Sequence, residues 1–591
     1  MPDPPVSAHF FAWEYGWSIL DRMHRDLQDS AQTEGGWTCG SPLLDSGRMA
    51  LTKTPPSSAE AEQTAGFWTR HTATLVAAAL YVLCTAGVLI GSWVACEHHF
   101  IYPLDDTYIT MSMARNLALH AIWGVTPYGF SSSNSSPIFP PLLALFYRLF
   151  GVNRFTPLVL SWIFGFATIF VAERIVARFF DRKGQTLVLI LLVLFAPLFV
   201  VGVLGMEHSL HVLFTVLFLG FFLRDSLDEP PRDRLWQLGI VTAIMVAARY
   251  EGLFFVLPAG CALVLERRWK SAFAMSLGAA LPVVAYAVFS LAHGGYWLPN
   301  SVAVKGLNIH HPGIVGAMLD ALTRFRINCH DGFELPLMLA GVAVAAIALL
   351  RKSPRQAVPL AMVLVAGCLH LALAQVGLYY RYEPYLFAAG TLCVCCTFPA
   401  LRRLVSRPVF TTAYFMYLIS AAAMLMLSIA QLHMLPLISR NIYLRQWQMG
   451  RFVAAYYPGG VVAANDIGAI NYLSNVHCYD LVGLANRDVF LARRSGHFTT
   501  QFIAEDAAAA HVQIAIVYDR WYADPPPSPI GGPSLPKTWI RVGRWNIPDP
   551  SIIDDHVVSF YAVDPREAPA LHDHLEQFAP QLPKVLQLCW H

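Results

Sequence analysis

The chain is 591 residues long, 55% hydrophobic and only 14% charged, with a formal net charge of +2. Soluble domains carry about 25% charged residues, so the composition excludes a soluble globular protein and points to a chain that crosses a membrane many times. Near-neutral charge without a basic tract gives no nucleic-acid partner.

The segment before residue 70 is polar, with Pro, Ser and Glu scattered through TKTPPSSAEAEQ, and lacks a positive-then-apolar signal pattern. It is expected to be a mostly disordered cytoplasmic tail over residues 1–70. Residues 74–95 carry no charge and reach the ~20 residues that a bilayer crossing needs, so they predict an uncleaved anchor. "YPLDDTYITM" follows, placing Asp105 and Asp106 where the chain leaves the membrane. Asp is a favoured N-cap, and Ile109, Met113 and Leu117 recur at helical spacing. One Asp would cap that helix, which leaves the other to be explained. Residues 124–136 (GVTPYGFSSSNSS) read as a flexible cover, with Asn134 in an N-x-S sequon. Residues 137–150 open with prolines and fall short of a crossing, which predicts an interfacial helix.

Ten further apolar runs stand at about 155–176, 185–204, 207–223, 235–248, 252–265, 271–292, 334–350, 357–376, 384–400 and 409–434. With the first they predict eleven spans. Basic residues supply the check, because cytoplasmic loops are enriched in Lys and Arg. ARFFDRKG, RDSLDEPPRDR, ERRWK, RKSPR and LRRLVSR follow alternate spans. The expected body is therefore a transmembrane domain over 71–436, with an outer loop at 97–154. From 437 to 591, short β-rich runs such as VVAANDIGAINYL and VQIAIVYD predict a small α/β domain on the side opposite the tail. The fold class is an α-helical multi-pass membrane protein with a C-terminal α/β extracytoplasmic domain. Among the 11 cysteines, Cys393, Cys395 and Cys396 read as small hydrophobes in an apolar run, while Cys478 and Cys589 leave a disulfide open.

With that threading, ionisable groups collect at the outer turns: Asp105 and Asp106; Glu207 and His208 in GMEHS; Arg249 and Glu251 in ARYEG; Asn300 and Lys305 in YWLPNSVAVKG; Tyr380, Arg381 and Glu383 in YYRYEP. Such groups are expensive at membrane depth and mark functional cavities. Each has a plainer reading as well. Arg249 and Glu251 would pair, Glu207 would cap a helix, Arg381 would anchor at the interface, Lys305 would snorkel, and His208 and His211 would pack rather than bind metal. Arg and Lys suit a lipid phosphate. Sugar transfer from a polyprenyl phosphate needs a carboxylate to take the acceptor's proton and cations to stabilise the departing phosphate.

The chain resembles the GT-C integral-membrane glycosyltransferases that use polyprenyl-phosphate sugars, above all the bacterial group of terminal arabinofuranosyltransferases. The resemblance rests on Asp105, Asp106, Thr107, Tyr108 and Ile109 with Ala114, Arg115, Asn116 and Leu117; on Gly205, Met206 and Glu207; on Arg249, Tyr250, Glu251 and Gly252, with Tyr for the group's Pro. Pro299, Asn300, Ser301 and Lys305, then Arg381, Tyr382 and Pro384, continue it, and Asp466 to Ala469 with Asp480 to Leu484 close it. What the resemblance implies is an inverting glycosyltransferase at the extracytoplasmic face of a bacterial plasma membrane. Its donor would be a polyprenyl-phosphate sugar, such as an arabinofuranosyl lipid, and its acceptor a cell-envelope glycan, lipid or protein. The first-loop acid is the usual base in such enzymes, so Asp105 is assigned as base and Asp106 to capping or orienting, with the reverse left open. Lys305, Arg249 and Arg381 are assigned to the donor phosphate; Tyr108, Arg115, Glu207, His208, Glu251, Asn300 and Tyr380 to substrate. No cofactor is expected, since two carboxylates alone make a poor divalent-metal site, although an ion at Asp105 and Asp106 stays open. The rival readings are a transporter or flippase of a lipid-linked saccharide, and a membrane-anchored scaffold.

Overall fold

The computed structural model describes residues 67–227, 233–305, 313–377, 379–524, 531–548 and 555–590. Most of the expected tail, residues 1–66, lies outside them.

Every apolar run read from the sequence is helical. Helix α1 (Phe67–Ala95) leads to α2 (Asp105–His120) and α3 (Phe139–Phe150). The membrane body continues through α4 (Thr156–Val176), α5 (Arg182–Phe195), α6 (Leu198–Leu204), α7 (His208–Asp225), α8 (Leu235–Ala248), α9 (Leu253–Leu265) and α10 (Trp269–Ala292). A short α11 (Asn300–Lys305) and α12 (Gly313–Asp331) precede α13 (Glu334–Leu350), α14 (Pro354–Leu373), α15 (Pro384–Leu404) and α16 (Arg407–Ile442).

Among the described residues, seven helices are long and apolar enough by themselves to cross, or up to nine if each of two bent pairs is one span. The α5–α6 pair bends by 50° at Ala196–Pro197, where the proline ring cannot continue the ladder. Helices α8 and α9, of 14 and 13 residues, rise about 20 Å at 1.5 Å per residue, less than the ~30 Å hydrocarbon core. Helix α3, of 12 residues, is too short to cross and turns Leu145, Leu149 and Phe150 outward, as an interfacial helix would.

The basic loops gather at one end of the bundle. Asp225 takes Arg234 at 2.9 Å and Arg268 at 2.7 Å, and Lys352 reaches the Leu404 carbonyl. The other end carries the α/β domain. Helix α16 runs through a π turn (Tyr443–Trp447) into α17 (Gln448–Tyr456) and delivers the chain to a six-stranded sheet. Strands β1 (Val461–Ala464), β2 (His477–Asp480), β3 (Ile514–Val517), β4 (Ile540–Asn546), β5 (Val557–Ala562) and β6 (Gln587–Trp590) lie in the order β2-β1-β3-β5-β4-β6. The first three are parallel and the rest antiparallel. Helix α17 and α18 (Ala568–Phe578) cover one face around Phe452, Trp545, Phe560 and Leu575. Helices over Val489 and Ile503 cover the other.

The disulfide left open is not formed, and one expectation fails. Cys478 and Cys589 are both free; they sit on β2 and β6, the opposite sheet edges. Five strand spacings of ~4.8 Å hold them about 24 Å apart, far beyond disulfide reach. Nor is 124–136 a loose cover. Ser131, Ser132, Ser133, Asn134 and Ser136 are buried. Ser132 bonds the Tyr286 hydroxyl at 2.6 Å, Asn134 donates to Thr110 at 2.6 Å, and Ser136 donates to the Ala247 carbonyl. A serine run tied down by its own hydroxyls is packed structure, and the buried Asn134 is no glycan acceptor in this fold.

Candidate active site

Helix α2 begins at Asp105 with Leu104 as its N-cap and no side-chain cap bond, so neither aspartate caps its own helix. Consecutive helical residues point about 100° apart, and the two carboxylates diverge accordingly. Asp105 caps a different helix, Gly468–Leu473, which follows β1. Its oxygens accept from the Gly468 N–H at 2.6 Å and the Ala469 N–H at 2.8 Å. A carboxylate at a helix N-terminus satisfies orphan donors and complements the dipole. Burial, with Asp466 nearby, pushes the Asp105 carboxyl up, and those two donors pull it back toward the ionised form. Gly468 is required by this approach: a Cβ there would collide with the Asp105 backbone oxygen and lie 2.7 Å from its carboxyl carbon.

Arg115, further along α2, grips the same short helix at its other end, donating to the carbonyls of Tyr472 at 2.8 Å and Asn471 at 3.0 Å. Anion at the N-terminus and cation at the C-terminus both match the dipole. The α/β domain is thus docked on α2 by two charged side chains. Asn300 adds a third tie, donating to the Leu484 carbonyl at 3.2 Å.

Asp106 faces the membrane body. Its Oδ2 lies 3.0 Å from Nη1 of Arg381, and the carboxylate remains 26% exposed. Arg381 is 4% exposed and donates through Nη2 to the Tyr382 hydroxyl at 2.7 Å. Tyr379 and Tyr380, just before it, both hold left-handed φ of 66° and 56°, a conformation costly for bulky residues; it swings Arg381 inward. Glu383 accepts from the Gly377 N–H, which closes the turn, and burial lifts its carboxyl to about 8.

Arg249 is fully occupied. Its Nη1 meets Glu207 at 2.9 Å and His208 Nε2 at 3.1 Å, and Nη2 meets Glu251 at 2.5 Å. Burial alone would raise Glu251, but Arg249 holds it down to about 2. The Tyr382 ring lies between the cations, 5.3 Å from the Arg249 guanidinium carbon and 4.7 Å from that of Arg381. His211 lies against Tyr385, with ring centroids 4.4 Å apart and the planes tilted by 38°.

The structure therefore brings Asp106, Arg381, Glu207, His208, Arg249 and Glu251 into one buried cluster around Tyr382. Asp105, Arg115 and Asn300 hold the α/β domain instead. Tyr108 is structural, its hydroxyl accepting from the Tyr102 N–H at 2.9 Å, and Tyr380 is buried beside Glu334. Lys305 ends α11, and its side chain lies outside the described residues. Tyr382 and Gly468 had no assigned role, though both lie inside motifs that the sequence displays. Among the described residues, the group with metal-compatible spacing is His572, Asp573 and Glu576 on α18, which includes neither Asp105 nor Asp106.

Residues 134–293, which include Glu207, His208, Arg249 and Glu251, match a family model described as dolichyl-phosphate-mannose-protein mannosyltransferase. Residues 440–561 match a domain of unknown function. No curated protein sequence matches the chain. Among solved structures it is similar to ArnT from Cupriavidus metallidurans bound to undecaprenyl phosphate, at 11% identity, covering 82% of this chain and 98% of that one with a TM-score of 0.47. It is similar also to the Archaeoglobus fulgidus oligosaccharyltransferase with zinc and sulfate, at 14% identity, 80% and 72% coverage and a TM-score of 0.48. The family match takes in Glu207, His208, Arg249 and Glu251 but does not extend to Asp105, Asp106 or Arg381.

Proposed function

We propose that the chain transfers a sugar from a polyprenyl-phosphate donor to a hydroxyl-bearing acceptor, with Asp106 as general base and Arg381 beside the leaving phosphate. The observation that carries this reading is the Asp106–Arg381 pair at 3.0 Å, partly open to solvent on the carboxylate side, while both oxygens of Asp105 are taken by backbone donors. The acceptor O–H gives its proton to an Asp106 oxygen as the acceptor oxygen bonds the anomeric carbon. The bond from that carbon to the phosphate oxygen breaks, and its electron pair stays on the phosphate. One displacement inverts the anomeric centre. The leaving phosphate needs no acid, and Arg381 is placed to take its developing charge. Lys305 is a second candidate for that phosphate.

Arg249 then acts through its neighbours. With two carboxylates on it, it fixes Glu207 and Glu251 and supports the Tyr382 ring rather than holding phosphate by itself. Asp105 and Arg115 are positioning residues that keep the α/β domain over the first turn of α2, which carries Asp106. The basic loops at the far end of the bundle support placing this chemistry on the extracytoplasmic face of a bacterial plasma membrane, with a cell-envelope glycan, lipid or protein as acceptor. No metal is required in this scheme. The family match over 134–293 favours a mannosyl-type donor over an arabinofuranosyl one.

The test is transfer from a panel of radiolabelled polyprenyl-phosphate sugars by purified protein in lipid, wild type beside Asp106→Asn. Transfer of one sugar by wild type and none by the variant supports the reading. No transfer from any donor, with acceptors supplied and the protein folded, defeats it in favour of lipid-linked saccharide flipping.

A further inference from the structure

Helix α12 turns its sides the opposite way from a helix in water. Gly316, Asp320 and Asn328 are buried against the protein, whereas Ile314, Val315, Met318, Leu319 and Leu322 are 83%, 73%, 67%, 52% and 65% exposed. A surface helix of a soluble domain buries its apolar stripe and solvates its polar one. At ~25 cal/mol per Å² of apolar surface, five large side chains turned to water would be a steep cost. Turned to hydrocarbon, they cost nothing.

Its direction fits the same surroundings. The α12 axis bends by 103° from α13, so beside a span that crosses the membrane it runs close to the membrane plane. Asn328 ties its C-terminal end to the domain-side end of α14, donating to the carbonyls of Leu371 at 2.7 Å and Ala374 at 3.0 Å. That end also marks the membrane surface, because the chain goes straight on into the turn that presents Arg381. The α10 helix also turns apolar residues outward near its last turns: Val288 and Leu291 are 62% and 57% exposed. Beyond Leu322 polar residues join the outward side, with Thr323, Arg326 and His330 exposed beside Ile327 at 52%, a mixture that suits head-group level.

We propose that Gly313–Asp331 is an in-plane membrane helix, its first half immersed in the leaflet on the α/β-domain side and its last turns among the head groups. The occupant of the exposed face is the bilayer. Since the same helix holds Leu371 and Ala374, its immersion sets the depth at which Arg381 meets Asp106. This inference stands apart from the reading of the reaction.

The experiment places a benzophenone amino acid at Met318 or at Leu322 in the full chain, reconstituted in vesicles with radiolabelled phosphatidylglycerol and irradiated. Leu281, 61% exposed in mid-span, and Leu491, 40% exposed on the α/β domain, serve as positive and negative positions. Labelled lipid on Met318 and Leu322, as on Leu281 and not on Leu491, is the expected result. A chain-to-chain adduct at Met318 or Leu322 would assign the face to a second copy. No adduct there while Leu281 is labelled would put the helix in water. Either overturns the proposal. Variants are first required to elute as the wild type does on size exclusion.

Discussion

The carboxylate of Asp105 closes on Gly468 at 2.6 Å, joining the first residue of α2 to the first turn of a helix in the α/β domain. Its neighbour Asp106 turns away to Arg381. One pair of adjacent acids thus makes two different contacts, one docking a domain and one pairing with Arg381, and the two can be separated by substitution.

Asp106→Asn keeps shape and removes the base. We expect kcat to fall by ~10²–10⁴, the usual contribution of a positioned general base, with the thermal midpoint unchanged. Single-turnover transfer and thermal unfolding in the same detergent check both. Full turnover would exclude Asp106 as the base.

Asp105→Asn should behave in the opposite way. The amide offers one acceptor oxygen and sets an N–H against an N–H, so the docking loses about 1–3 kcal/mol. The midpoint falls, and protease should cut sooner near Tyr457–Gly460, where α17 gives way to β1. Gly468→Ala should reproduce this effect through steric clash. If Asp105→Asn were silent in unfolding and proteolysis but dead in transfer, Asp105 would be the base after all.

Arg249→Met strands Glu207, which is buried, and Glu251, which is largely so. Breaking a buried pair on one side costs about 3–5 kcal/mol, so the expected phenotype is poor folding rather than weak donor binding. Adding Glu207→Gln and Glu251→Gln should recover part of the lost midpoint. A well-folded single variant with only a raised donor KM would return Arg249 to the phosphate.

Arg381→Lys keeps the charge but loses the planar fork that reaches Asp106 and Tyr382 together. Loss of a hydrogen bond to a charged group, ~1.5–3 kcal/mol, predicts a ten- to hundred-fold rise in donor KM with acceptor KM little changed. Initial-rate kinetics with each substrate varied in turn decide this.

Helix identity and fold class were legible in the sequence because apolar runs and basic loops are local signals, and every run read as a span is a helix. Span count was less so. The lengths of α8 and α9 and the break at Pro197 show only once the helices have ends and angles. The site was half legible: Asp106, Arg381, Glu207, His208, Arg249 and Glu251 all lie in motifs that stand out as charges among apolar residues. Their pairing was not, since Arg249 reaches Glu207 across 42 positions and no spacing rule covers such distances. Nor does sequence order reveal that 131–136 is buried, because serines read as loop until their partners are known.

By itself, the sequence determined a polytopic membrane protein with charges held at one end of its helices and a β-rich domain beyond them, because hydrophobicity, charge and period act over a few residues at a time. Tertiary structure alone decided which aspartate meets Arg381. Two adjacent carboxylates are chemically identical in the chain, and they part only when a helix start points one at the N–H groups of Gly468 and Ala469 and the other at the guanidinium of Arg381.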